Sequence, residues 1–234
     1  MKTSRIDWAK FISEEAKISP VLKSDDLAYR FGMSESIVRR ALLRLARRGL
    51  VEHFAKKWFI NLLAKDFSGR ELVNLVQPQS YISLETVLRE AGIISQTPVP
   101  VTCVTTGLAG SFRSTTVSIN FRHLPSGLYW GFQKRRTLYG EFNVADPEKA
   151  LLDWLYFQGK QGAKVTTDEF DLRKLDIEKV LKYGQKYPKP VQYELLEALV
   201  RSGAALPNST LSKPRESVAQ INGGSNGGKV ATTR

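Results

Sequence analysis

Residues 24–60 read SDDLAYRFGMSESIVRRALLRLARRGLVEHFAKKWFI, and this stretch decides the fold of the N-terminal part of the chain. Ser24 is placed to cap a short helix, with Asp25 and Asp26 in its first turn, where carboxylates suit the exposed N–H groups. Leu27, Ala28 and Phe31 give that helix an apolar side, and Gly32 is placed to end it. Ser34 is then placed to cap a longer helix from Glu35 to Arg48, closed by Gly49. Val38, Ala41, Leu42 and Leu45 recur at helical spacing and are expected to face a core. Arg39, Arg40, Arg44 and Arg47 fall mostly on the other side. Leu50–Glu52 and Trp58–Asn61 read as two short strands around an Ala55-Lys56-Lys57 tip. Helix, Gly turn, arginine-rich helix and basic hairpin, in that order, predict a winged helix-turn-helix that reads duplex DNA.

An Arg- and Leu-rich helix is most often a solvated amphipathic helix, so the complete order of elements carries this reading rather than the charges alone. Within it, Ser34, Ser36, Arg39 and Arg40 occupy the half of the second helix expected to enter the major groove and meet base edges. Arg44, Arg47, Lys56 and Lys57 are expected on phosphates, where they add affinity without sequence information.

The rest of the composition fits this picture. The chain has 234 residues, 42% of them hydrophobic, enough for two domains, and a formal charge of +12. Residues 1–60 hold 13 Lys/Arg against 7 Asp/Glu, residues 61–159 hold 9 against 8, and residues 160–234 hold 13 against 8. The first excess coincides with the helix-turn-helix and favours a polyanionic partner. A single cysteine, Cys103, rules out an intramolecular disulfide. The N-terminus MKTSRIDWAKFI has charges among its apolar residues and does not read as a signal peptide, and no run of about 18 apolar residues suggests a membrane span. A cytoplasmic protein is expected.

Residues 5–17 read as a first helix with Ile6, Ala9 and Ile12 or Ala16 on one face. Asn61–Gln79 reads as a link. Tyr81–Ala91 is expected as a helix stopped by Gly92, and Thr97–Pro100 as the start of an extended segment. Val101–Thr106, Thr116–His123, Gly127–Gln133 and Tyr139–Val144 read as strands, the last two around a charged Lys134-Arg135-Arg136 turn. Asp146-Pro147-Glu148 opens a helix to Phe157 that is apolar nearly all round and therefore expected to be buried. Helices are also expected over Ile177–Lys186 and Val191–Ser202. The fold expected is mixed α+β: a winged helix-turn-helix over 1–62, an α/β domain with C-terminal helices over 76–206, and a flexible tail over 207–234.

Tyr81-Ile82-Ser83-Leu84-Glu85, Gly92-Ile93-Ile94, Val101–Gly107 (VTCVTTG) and Asp146–Asp153 (DPEKALLD), downstream of a helix-turn-helix, resemble the AbiEi antitoxin family of bacterial abortive-infection E toxin–antitoxin systems. The likeness covers residues 24–157. It implies an N-terminal domain that binds inverted repeats in the promoter of its own operon and represses it. It also implies a remainder that counters a nucleotidyltransferase-like toxin, directly or, as the type IV classification favours, indirectly.

Little in the sequence points to catalysis. His53 and His123 are isolated, no zinc spacing exists, and Cys103 sits in a β-branched run where a buried, inert thiol is the ordinary outcome. Phosphate-loop, dinucleotide and HExxH motifs are absent. Glu148 and Asp153, five apart, do not share a helix face cleanly; the first reads as a first-turn carboxylate and the second as a residue satisfied at the edge of a buried helix. No cofactor, metal or enzymatic activity is expected. Lys134, Arg135 and Arg136 are either a solvated turn or an accessory basic contact to DNA or an acidic partner. Lys174, Lys179, Lys182, Lys186 and Lys189 divide the same way between solubility and contact. The competing readings are a regulator whose middle domain senses a ligand or another protein, and a nucleic-acid-processing enzyme targeted by the helix-turn-helix.

Overall fold

The helix expected over 5–17 is shorter and differently wound. In the computed structural model, which describes residues 6–16, 19–64, 68–95, 100–160, 167 and 169–204, α1 covers Trp8–Lys10 and passes into a π-turn over Phe11–Glu15. The wide turn closes where the Ala16 N–H donates to the Phe11 carbonyl at 2.8 Å. It rotates Phe11 inward, so Phe11, Ile12 and Ala16 are buried while Ile6 and Ala9 are only half-buried.

Strand β1 (Val21–Lys23) runs directly into α2 (Ser24–Phe31). Three residues are too few to show a period, and the sequence does not announce this strand. It also displaces the expected cap. Lys23 is the extended residue before the helix, the Ser24 N–H donates to the Lys57 carbonyl at 2.9 Å, and the buried Ser24 hydroxyl donates to Glu35 Oε1 at 2.6 Å. Gly32 ends α2 in the left-handed conformation (φ 61°), as expected.

Helix α3 (Glu35–Arg47) follows Ser34, which has the extended backbone of a cap, but whose Oγ lies 3.1 Å from Ser36 Oγ rather than on a helix N–H. Val38, Ala41, Leu42 and Leu45 are buried, as their spacing required. Strands β2 (Val51–Ala55) and β3 (Trp58–Asn61) turn at Lys56-Lys57 and, with β1, form an antiparallel sheet of order β1-β3-β2. Asn61 ties this sheet to the first helical segment: its Nδ2 donates to the carbonyls of Ile12 (3.3 Å) and Ala16 (2.9 Å).

The segment expected as a link contains a 3₁₀ turn (Arg70–Leu72) and α4 (Val73–Val76), both packed on the second sheet. The helix expected from Tyr81 begins later. Ser80–Ile82 is strand β4, Leu84 takes a positive φ of 59°, and α5 covers only Glu85–Glu90. Tyr81 and Ile82 lie between neighbouring strands on both sides, a position that a helix cannot fill. Strands β5 (Val101–Thr105), β6 (Gly110–Arg113), β7 (Ser118–His123), β8 (Phe132–Thr137) and β9 (Gly140–Ala145) complete a mixed sheet of order β6-β7-β5-β4-β9-β8. The strand expected over 127–133 is replaced by a 3₁₀ turn (Ser126–Leu128) and a left-handed Gly131 (φ 75°). Lys134, Arg135 and Arg136 therefore lie within the edge strand β8, and the turn falls at Leu138-Tyr139.

Helix α6 (Pro147–Lys160) is buried continuously from Glu148 to Phe157, with α5, α7 (Ile177–Gly184) and α8 (Lys189–Arg201) packed on it. The fold is thus mixed α+β. The segment 97–99 expected to be extended and the tail from 207 lie outside the described residues. Among the described residues, no helix is long and apolar enough to cross a membrane.

Candidate nucleic-acid interface

At about 100° per residue, the buried side of α3 leaves one continuous outer face. Ser36, Ile37, Arg40, Arg44, Arg47 and the following Arg48 are all exposed on it, and no carboxylate is among them. Its one acidic residue, Glu35, is half-buried and accepts the Ser24 hydroxyl. Arg40 Nε donates back along the helix to the Ser36 carbonyl at 3.3 Å. Ser34, also exposed, sits at the start of the same face.

The structure separates residues that sequence spacing grouped together. Arg39 is half-buried on the flank of α3, and its Nε donates to the Lys56 carbonyl at 3.2 Å, so it holds the β2–β3 turn against the helix. Lys56 is exposed, but Lys57 is half-buried with its Nζ 3.1 Å from Asp25 Oδ2. Partial desolvation pushes the Asp25 carboxyl upward, but the Lys57 and Lys23 ammonium groups outweigh it and hold its pKa below the ordinary carboxylate value. Sequence reasoning missed these attachments because the partners lie 17 and 32 residues away.

The accessory basic residues are largely balanced in place. Lys134 Nζ is 2.9 Å from Glu141 Oε2, Arg136 pairs with the same carboxylate, and Arg135 is 3.9 Å from Glu90. The Lys134 and Arg136 donors hold the Glu141 pKa below its usual range. Lys174 donates to the Gly92 carbonyl at 2.6 Å, Lys179 lies between Asp146 (3.2 Å) and Glu148 (2.9 Å), and Lys186 stacks over Trp130 at 4.4 Å. Lys189 lies 3.3 Å from the Gln192 side-chain oxygen, while Lys182 is exposed.

No group of three potential metal ligands occurs among the described residues. His53 packs beside Phe59, His123 Nδ1 lies 2.9 Å from the Gly107 carbonyl, and burial pushes the Cys103 thiol pKa up, which keeps it inert. A cleft of about 170 Å³ behind α2, bordered by Phe11, Leu27, Arg30 and Trp58, is smaller than the roughly 300–1,000 Å³ of ligand pockets.

A second cluster was not foreseen at all. Asp153 lies at the centre of the α6 packing rather than at its edge, with its side chain fully buried. Its Oδ1 accepts from Lys149 Nζ (2.5 Å) and the Tyr187 hydroxyl (2.6 Å); its Oδ2 accepts from Ser83 (2.8 Å) and Tyr81 (3.0 Å). Lys149 is equally buried, and the rings of Trp130, Tyr187 and Tyr81 stand 5.0, 5.0 and 5.4 Å from its ammonium. Burial lowers the Lys149 pKa, and Asp153 opposes that shift. The signal available in the sequence was a Lys and an Asp four apart inside a helix otherwise apolar all round. Glu148 lies in the first turn of α6, as expected, and its Oε1 also accepts the Asp176 N–H at 3.1 Å, which joins α6 to the start of α7.

No protein-family model matches the chain, and no curated protein matches it in sequence.

Proposed function

We propose that residues 24–61 are a winged helix-turn-helix and that the chain is a DNA-binding repressor of its own operon. The observation that carries this is the outer face of α3, four arginines with a serine and an isoleucine and no acid, beside the exposed Lys56 of the β2–β3 turn. Such a face neutralises phosphates from within a groove and leaves Arg40 and the serines toward base edges. The motif likeness extends the proposal to an antitoxin that counteracts a nucleotidyltransferase-like toxin, acting in the cytoplasm, without enzymatic activity or a cofactor.

The test of DNA binding is fluorescence anisotropy of the full chain with duplex from upstream of its own gene and with a scrambled duplex, between 50 and 200 mM salt. Three or four phosphate contacts per bound protomer predict a slope of log K against log salt of about −3. Equal, salt-independent binding of both duplexes would overturn the repressor reading. Co-expression with the neighbouring gene tests the antitoxin: relief of growth arrest supports it. Failure of rescue alongside specific DNA binding would favour a regulator with a sensing middle domain instead.

A further inference from the structure

Isolated exposed apolar residues are ordinary on protein surfaces, but Ile37 stands out by its place. It is 42% exposed in the first turn of α3, one turn before Arg40 and two turns before Arg44, on a face whose other members are all polar or cationic. Helix propensity gives no reason for it, since a β-branched residue is a poorer choice at a solvated helical position than Ala, Lys or Glu. Nor does the core use it. The buried residues of this part are Phe11, Ile12, Val38, Leu42, Leu45, Phe59 and their neighbours, and Ile37 is neither among them nor among the half-buried residues packed on them.

Arg39, the neighbour that spacing made a base reader, is engaged by the Lys56 carbonyl on the other flank of the helix. That leaves Ser34, Ser36, Ile37 and Arg40 as the exposed residues of the N-terminal half of α3. The edges in the major groove offer hydrogen-bond donors and acceptors and one apolar group, the C5-methyl of thymine. We infer that Ile37 is a specificity-determining residue that packs on a thymine methyl, while Arg39 acts as a positioning residue for the basic turn. This rests on the DNA-binding reading above and adds to it the base that the apolar position selects.

The experiment is selection of duplexes from a random library by the full-length protein, followed by a uracil scan. Each thymine of the recovered site is replaced singly by deoxyuridine, which removes the methyl and nothing else. With the parent protein, one thymine position should lose about fourfold in affinity, the worth of one buried methyl group. With Ile37→Ala, that same replacement should have no effect, and the variant should keep the parent's thermal midpoint because the side chain lies outside the core. An enriched site with no methyl-sensitive thymine, or one equally sensitive in both proteins, would overturn the Ile37 assignment and leave DNA binding standing. Absence of any enriched site would overturn both.

Discussion

Asp153→Asn keeps the shape of the buried α6 carboxylate and removes its charge, which makes it the sharpest perturbation of the core. In the parent, the Lys149 ammonium has Asp153 Oδ1 and the Tyr187 oxygen, each at 2.5 Å, and three aromatic rings. With the amide in place, its carbonyl oxygen can still accept from the Lys149 ammonium, but the balancing negative charge is gone, and an uncompensated buried charge costs about 3–5 kcal/mol. The loss has a ceiling: an ordinary lysine, starting from 10.5, can be neutralised at pH 7 for about 5 kcal/mol, and burial already lowers this one. Once Lys149 is neutral in the folded variant, the unfolded chain binds one more proton than the folded chain, so stability rises with pH by about 1.4 kcal/mol per unit until the unfolded lysine titrates near 10.4. The expected result in urea melts followed by tryptophan fluorescence is a midpoint shifted down at pH 7 with an unchanged slope. The gap to the parent should narrow toward pH 9.5. Lys149→Met/Asp153→Asn should cost less than the sum of its two single changes, because neither charge is left alone. An Asp153→Asn protein within about 1 kcal/mol of the parent, or a gap that does not narrow with pH, would refute the reasoning.

The two lysines of the β2–β3 turn should behave differently. Lys56→Ala should flatten the salt dependence of DNA binding by about one unit of slope, whereas Lys57→Ala should change it little, because that ammonium is held by Asp25. Burial raises the pKa values of Tyr81 and Tyr187, so above about pH 10 the unfolded phenols lose protons that the folded ones keep, and stability falls by about 1.4 kcal/mol per unit for each. Tyr187→Phe should lessen that fall by about 1.4 kcal/mol per unit in urea midpoints measured from pH 9.5 to 11, with absorbance at 295 nm reporting the buried phenols.

The parts legible in the sequence are those with punctuation at both ends. Gly32 and Gly49 bracket α3, Asp146-Pro147 opens α6, and Val101–Thr105 ends at Gly107 after a β-branched run. The parts that were not legible are short or depend on closure of the chain. β1 and β4 have three residues each, and Tyr81 and Ile82 show the sheet only because β5 and β9 flank them. Leu84 carries no local sign of a positive φ; it occurs where β4 must turn sharply into α5. The arginine face of α3 follows from helical spacing alone. That Arg39 is drawn off it and Lys57 is drawn away from the tip follows from where the hairpin folds back, which periodicity does not encode.

Two of the stretches that carry the antitoxin likeness meet in one place. Tyr81 and Ser83 come from the first, Lys149 and Asp153 from the second, and the first three side chains converge on the Asp153 carboxylate. All four are fully buried, so this pattern specifies how α6 seats on the sheet rather than what the surface meets. Any contact made with a toxin, a second copy or DNA by this part of the chain has to come from side chains outside that network. On the antitoxin proposal, the two kinds of residue should separate in a screen that reads relief of growth arrest and urea midpoint together. Substitutions at Tyr81, Ser83, Lys149 or Asp153 should lose both, because the core loosens first. Substitutions that lose only relief should fall on exposed positions such as Lys182, Tyr193 or Val200. A change at Lys149 or Asp153 that abolished relief at an unchanged midpoint would show that this buried pair does more than hold the fold.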